Sequence, residues 1–329
     1  MNDIRWGIIG CGDVTEWKSG PAFNKVPHSS LVAVMRRDGA KAKDYADRHG
    51  VPAWYDDARR LIDDPAVNAV YIATPPSSHE AYAVAALQAG KPVYLEKPMT
   101  VSHASAVAIA EAVETTGVKL SVAHYRRGQP YFNKIKELLE QKAIGEVAFA
   151  SLIFQRPLLS WEELKLPGNL WRIDPQVSGG GLFHDLAPHQ LDILFYFFGG
   201  ITYATGVSVN QSSRYAAEDV VCGNIVFNNG LVFSGTWRFN VSPGEACDWC
   251  EITGSEGTIG FSVFGDQKIH VTRHGTEEII AFVPPRHVQQ PMIEKVVAYF
   301  SGEGPNPCSA RDGAVVMEVI DAFTKGAKK

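Results

Sequence analysis

The sequence predicts an α/β protein of two domains: a doubly wound parallel sheet, followed by a second α/β domain whose sheet is largely antiparallel. Three observations predict this. Up to residue 124, short apolar strands alternate with helical stretches, the order that places a parallel sheet between two layers of helices. Beyond it, strand signals crowd together and are broken by short turns, Asn228-Asn229-Gly230 and Gly254-Ser255-Glu256-Gly257, of the kind that close hairpins. A length of 329 residues with 45% hydrophobic content also suits two cores. The expected domains are 1–124 and 125–329.

In order, the first domain reads as strands over 5–9, 31–35, 69–73, 93–95 and 119–123. A glycine turn leads from the first strand into a helix, and further helices are expected over 40–49, 57–62, 78–89 and 102–116. Gly50, Gly90 and Gly117 stand just past helix ends, where a left-handed residue stops the helix. The second domain opens with a helix over 131–141 and a strand over 147–154, then an irregular stretch carrying Trp161 and Trp171. After the glycine run at 179–181 comes a helix; Pro188 is awkward in a helix interior, so its first turn is expected near Asp185, or a bend there. Strands follow over 202–209, 219–227, 231–239, 249–253 and 258–263, and helices over 288–300 and 311–323 close the chain.

Several function classes are excluded. A net charge of −5 gives no basic field for nucleic acid. The longest apolar stretch, near 193–198, falls far short of the ~18 residues that mark a membrane span. A strand pattern starts at Ile4 with no leader before it, so a cytoplasmic location is expected. Five cysteines are too few and too scattered for a disulfide framework. Cys247 and Cys250 have CxxC spacing, but on a strand residues three apart face opposite ways, and no metal site is expected.

The chemistry-bearing residues cluster at strand ends. Gly10-Cys11-Gly12-Asp13-Val14 follows the first strand and heads a βαβ unit, the context in which backbone N–H groups cradle a pyrophosphate. Thr15 stands where Gly or Ala is usual. At the end of the second strand an acidic residue would accept from a free ribose 2′-hydroxyl, whereas Arg suits a 2′-phosphate. The chain reads Arg36-Arg37-Asp38, which selects NADP(H) over NAD(H), unless Asp38 turns inward and the arginines are merely solvated. Lys97, in Glu96-Lys97-Pro98, lies at the carboxyl end of a strand, the edge where ligands bind in such sheets. The glycine run at 179–181 allows close approach of backbone to ligand, and on the helix after it Asp185, His189 and Asp192 share a face at i, i+4, i+7 spacing. A histidine on an apolar helix is ordinarily a satisfied core residue; beside a cation such as Lys97 it completes a proton-transfer set.

Together, Gly10-Cys11-Gly12, Glu96-Lys97-Pro98, Trp171-Arg172 and the triple glycine followed by Asp185-x-x-x-His189 resemble the glucose-fructose oxidoreductase and inositol dehydrogenase family, Gfo/Idh/MocA, over nearly the whole chain. The resemblance implies a Rossmann domain joined to an α/β domain with an open, mainly antiparallel sheet. It implies hydride transfer between a nicotinamide cofactor and a sugar or polyol carbon, and homodimers or homotetramers formed through the second sheet. Lys97 then lies beside the reacting centre, and His189 donates or accepts the proton. Asp185 either binds a substrate hydroxyl or raises the proton affinity of the imidazole. Cofactor positions are Gly10, Cys11, Gly12, Asp13, Val14, Arg36, Arg37, Thr74, Pro75, His79, Glu96 and Lys97; Arg172 joins Asp185 and His189 at the substrate. His184 has no counterpart and reads as structural. Two other readings stay open: a redox-neutral glycosidase that retains its cofactor, and a non-catalytic sugar or cofactor sensor. The sensor predicts lost catalytic positions, yet Lys97, Asp185 and His189 are all present.

Overall fold

The computed structural model describes residues 3–325. The chain gathers into two compact units: one takes the chain up to Gln129 together with Pro285–Ala314, the other Pro130–Pro284 together with the chain from Val315.

In the first unit, β1 (Ile4–Ile9) runs into two short helices, α1 (Asp13–Trp17) and α2 (Gly20–Phe23). There follow β2 (Ser29–Met35), α3 (Gly39–His49), β3 (Ala53–Tyr55), α4 (Ala58–Asp63), β4 (Ala69–Ile72), α5 (His79–Gln88), β5 (Val93–Leu95), α6 (His103–Thr116) and β6 (Leu120–Val122). The strands pair in parallel in the order β3-β2-β1-β4-β5-β6, the doubly wound arrangement of a Rossmann domain. β4, β5 and β6 are buried along their whole length, as strands covered on both faces should be. Caps set the helix limits: Asp38 accepts from Lys41 N at the start of α3, Ser102 from Ser105 N at the start of α6, and Gly50 and Gly117 end those helices at φ 66°. Two features differ from expectation. β3 has three residues, too few to show a period. The helix after the glycine turn is broken in two, and α2 packs so tightly that a Cβ on Gly20 would lie 2.1 Å from Thr15 O and 2.4 Å from Tyr45 Oη.

The second unit begins with α7 (Pro130–Glu140) and β7 (Val147–Pro157). Where an irregular stretch was expected there are three helices of four residues each, α8 (Trp161–Leu164), α9 (Pro167–Leu170) and α10 (Pro175–Ser178). α11 (Leu182–Phe198) starts earlier than expected and carries Pro188 inside it. The strands β8 (Ile201–Val209), β9 (Val220–Phe227), β10 (Val232–Val241), β11 (Cys247–Gly254), β12 (Gly257–Phe261), β13 (Lys268–Arg273) and β14 (Thr276–Ala281) join β7 in one sheet, ordered β14-β13-β12-β11-β7-β10-β9-β8. β7 and β10 pair in parallel and every other neighbour is antiparallel, so the sheet is mainly antiparallel as the hairpin turns imply. Neither β13 nor β14 was foreseen: β13 buries only Ile269 and Val271 among polar residues, and all six residues of β14 are exposed or half-exposed, which erases the alternation a half-buried strand shows. One face of the sheet is buried; Phe183 of α11 lies edge-on to Trp237 of β10 at 5.1 Å. The other face carries Phe149, Ile153, Tyr203, Val207 and Val232 at exposed positions.

After this sheet the chain returns to the first unit with α12 (Gln290–Ser301), and α13 (Ala310–Lys325) ends the described chain. The return is fixed by side chains to main chain: Lys119 Nζ donates to the carbonyls of Tyr299 (2.7 Å) and Phe300 (3.1 Å), and Asn306 Nδ2 to that of Leu120 (2.8 Å). No helix among the described residues is long and apolar enough to cross a membrane.

Candidate active site

The first unit brings the turns after β1, β2, β4 and β5 to the carboxyl edge of its sheet, with β1 and β4 adjacent where the strand order reverses. Gly10 has φ 96°, and a Cβ there would lie 2.7 Å from Thr74 Cγ2 and 2.8 Å from Thr74 N, so only glycine lets the two turns meet. A Cβ on Gly12 would meet nothing nearer than Gly10 O at 4.0 Å, which leaves that side of the turn clear for a close approach. The amides of Gly10 and Cys11 already donate to Met35 O, at 2.9 and 3.2 Å. The donors left for a phosphate are therefore at the start of α1, where first-turn N–H groups have no intrahelical acceptor; Asp13 and Val14 stand there. The Cys11 side chain is buried, and burial raises its thiol to about 11. Thr15 is accommodated without a small side chain because its buried Oγ1 donates to Gly12 O at 2.8 Å.

At the end of β2, Arg36 and Arg37 are exposed, and Arg36 Nη1 donates to Cys11 O at 3.3 Å, which lays the guanidinium across the glycine turn. Asp38 is committed elsewhere. The Lys41 amide bond at the start of α3 holds its carboxyl below the usual range, and it is exposed.

After β4, Ser78 Oγ donates to Thr74 Oγ1 at 2.8 Å, beside Pro75. His79 is fully buried: Nε2 lies 2.8 Å from Thr74 O, and Nδ1 lies 3.1 and 3.2 Å from the carbonyls of Pro98 and Met99. It ties the turn after β4 to the turn after β5 and presents no surface of its own. Burial holds its pKa below the usual histidine value. After β5, the Glu96 carboxylate is 5% exposed. Its Oε1 accepts from Tyr71 Oη (2.6 Å) and Gln289 Nε2 (2.7 Å), and its Oε2 from the Lys97 amide (3.0 Å). Lys97 is half-buried and joined to Pro98 by a cis peptide bond. Neither Tyr71 nor Gln289 carries a sequence signal that would have connected it to Lys97.

In the second unit, α11 presents Asp185, His189 and Asp192 along one face, as the spacing requires. Arg172 Nε donates to Asp185 Oδ2 at 3.0 Å, and the guanidinium lies 4.7 Å from the Trp171 ring centroid, so two residues foreseen at the substrate form one ion pair. His189, 6% exposed, sits one turn along from Asp185 and meets the ring of Phe264 edge-on at 5.5 Å. Phe264 escaped the sequence reading. It is held by Asp248, whose Oδ2 accepts from the amides of Phe264 (2.5 Å) and Gly265 (2.9 Å).

The glycine run needs a correction. A Cβ on Gly180 would lie 1.9 Å from His184 Nδ1, and one on Gly181 would lie 2.7 Å from the Ala217 Cβ. These glycines serve packing inside the unit, where a close approach to ligand was expected. His184 is 2% exposed and its Nδ1 lies 3.0 Å from Glu218 Oε1, a buried brace at the start of α11. Among the described residues no group of three or more His, Cys, Asp or Glu is arranged to hold a metal ion.

Known proteins supply the remaining comparison. Residues 4–124 match the oxidoreductase family with an NAD-binding Rossmann fold, and residues 132–260 match the Gfo/Idh/MocA C-terminal domain. A protein of Formosa agariphila, named oxidoreductase P35, is 47% identical over 97% of this chain and 98% of its own. The 1,5-anhydro-D-fructose reductase of Ensifer adhaerens is 25% identical over 98% and 96% of the two chains. A levoglucosan dehydrogenase solved with NADH and levoglucosan superimposes with a TM-score of 0.83 at 23% identity, covering 98% of this chain and 96% of that one, which shows a shared fold. With both halves matching in order and a near-full-length relative at 47% identity, the chain belongs to the Gfo/Idh/MocA family of NAD-binding oxidoreductases.

Proposed function

We propose that the protein transfers a hydride between NADP(H) and a carbonyl or alcohol carbon of a sugar, polyol or related substrate. One observation carries this reading: the Arg172–Asp185 pair, one helical turn from His189, sets a donor and an acceptor suited to neighbouring hydroxyls beside a proton carrier. Residues 1–124 are assigned to the nucleotide and residues 125–329 to substrate and self-association. The residues present fit a nicotinamide cofactor. Gly10 and Gly12 shape the turn, Asp13 and Val14 offer helix-start amides, and Thr74 and Pro75 flank them, with Glu96 and Lys97 on the neighbouring strand end. His79 serves that site by bracing its turns. Bound there, the cofactor supplies or accepts hydride. The Lys97 ammonium stabilises developing alkoxide charge, His189 carries the proton, and Arg172 and Asp185 orient the substrate hydroxyls. Arg36 and Arg37, with Asp38 committed to α3, favour the 2′-phosphate of NADP(H), while NAD(H) remains a usable cofactor. A second copy of the chain is the expected partner, bound through the exposed apolar face of the eight-stranded sheet as a homodimer or homotetramer.

The test supplies NADPH and NADH with 1,5-anhydro-D-fructose, levoglucosan, inositols, free sugars and aryl glycosides, and follows nicotinamide absorbance and aryl release together. Net redox on a sugar or polyol is expected. Aryl release with no net absorbance change would instead establish the redox-neutral glycosidase. In Lys97→Ala and His189→Ala, turnover should fall by about 10²–10⁴ while the fold survives. Near-normal turnover in both would remove them from the chemistry.

A further inference from the structure

The buried carboxylate beside Lys97 is held from an unexpected direction. Glu96 Oε1 receives the Nε2 of Gln289, a residue 193 positions along the chain and 1% exposed, at 2.7 Å. Glu96 Oε2 receives the Lys97 amide at 3.0 Å, so one carboxylate links the Gln289 side chain to the main chain of Lys97. A carboxylate only accepts, which dictates that the Gln289 amide turns its NH2 toward Glu96. Its Oε1 is then left buried with no hydrogen-bond partner among the described residues. Leaving a buried acceptor unsatisfied is unfavourable, and an apolar side chain of similar size would avoid it. The glutamine therefore makes sense for what its Nε2 holds.

Its own backbone is firmly seated. His287 Nδ1 donates to Trp17 O at 2.9 Å, Gln129 Nε2 donates to Val288 O at 3.2 Å, and a Cβ on Gly128 would come within 2.7 Å of Met292 N. The segment 287–292 is a fixed platform from which one amide reaches the Glu96-Lys97 turn. Without that amide, Tyr71 is the one remaining side-chain donor on Oε1 among the described residues, at 2.6 Å, and the carboxylate gains freedom to rotate away from the Lys97 amide.

We propose that Gln289 is a positioning residue for Lys97, acting through Glu96; this deepens the reading above and rests on its assignment of Lys97 to the reaction. The test reads Lys97 itself and needs no substrate. The full-length protein is labelled with trace acetic anhydride, and acetylation of each lysine is quantified by mass spectrometry, with exposed Lys142 as the reference and Lys119 as a control within the same unit. In Gln289→Met, the turn loosens and Lys97 should label about threefold faster or more relative to Lys142, with Lys119 unchanged. Gln289→Leu likewise removes the donor at nearly the same size, so Lys97 should again label faster; this variant serves where the methionine variant does not fold. A Lys97 rate equal to wild type in a folded variant overturns the inference, as does an equal rise at Lys119, which would reveal general loosening. Failure of the catalytic reading shows separately, as undiminished turnover in Lys97→Ala.

Discussion

The proposed preference for NADP(H) rests on Arg36, since the fold itself leaves the choice open. The Rossmann sheet accepts either nicotinamide cofactor, and what differs is the residue after β2. Here the guanidinium lies across the glycine turn on Cys11 O, and Asp38 caps α3 by accepting the Lys41 amide on its Oδ1. A charge-assisted hydrogen bond contributes about 1.5–3 kcal/mol, which corresponds to at least tenfold in affinity. Fluorescence titration should therefore show NADPH binding at least about tenfold more tightly than NADH, with the preference lost in Arg36→Ala. Equal affinities in the wild type would reassign the cofactor.

Among the elements, α1 depends on α3 because five residues are too few to hold a helix by themselves. Glu16 of α1 meets Arg48 of α3 through two bonds of 2.8 and 2.9 Å and His49 at 2.8 Å. The Arg48 bonds, chiefly, bring the Glu16 carboxyl down to about 2. A carboxyl whose folded pKa lies below its unfolded value near 4.5 stabilises above that value and loses the contribution as pH falls toward 2. Glu16 is partly open to water, which screens the pair and reduces its worth. Between pH 7 and pH 3 the wild type should lose more Tm than Glu16→Gln, by about 2–4 °C. Parallel losses in the two proteins would mean the pair contributes nothing to α1.

Across the whole molecule, the described residues expose a broad apolar surface on the eight-stranded sheet. Strand alternation puts Phe149 and Ile153 of β7, Val232 of β10 and Tyr203 and Val207 of β8 on the same face, directly opposite or near one another in register. This is the face through which self-association is proposed, since a two-fold partner would cover exposed apolar surface with its own copy. Light scattering after size exclusion should give a dimer or tetramer for the wild type. Ile153→Asp, which would bury an unpaired charge at the centre of that face, should shift it to monomer at about micromolar concentration. A monomeric wild type would leave the face to another partner.

Much of this was legible in the sequence because it is local. Helix and strand periods, the glycines that stop α3 and α6, and the hairpin turns each depend on residues a few positions apart, so the two sheets and their character could be written down directly. The strand-end motifs were visible for the same reason: Gly10-Cys11-Gly12 and Glu96-Lys97-Pro98 follow short apolar runs, and Asp185 and His189 are one helical turn apart. Tertiary structure decided what depends on distant residues meeting. It brought Pro285–Ala314 back into the first unit, set Gln289 against Glu96, paired Arg172 with Asp185, and filled the space over Gly180 with the His184 ring. β13, β14 and the three short helices after β7 also escaped, since exposed or four-residue elements show no hydrophobic period and β13 buries only two residues. Periodicity records which face of an element is buried; it carries no record of which distant side chain comes to rest against it.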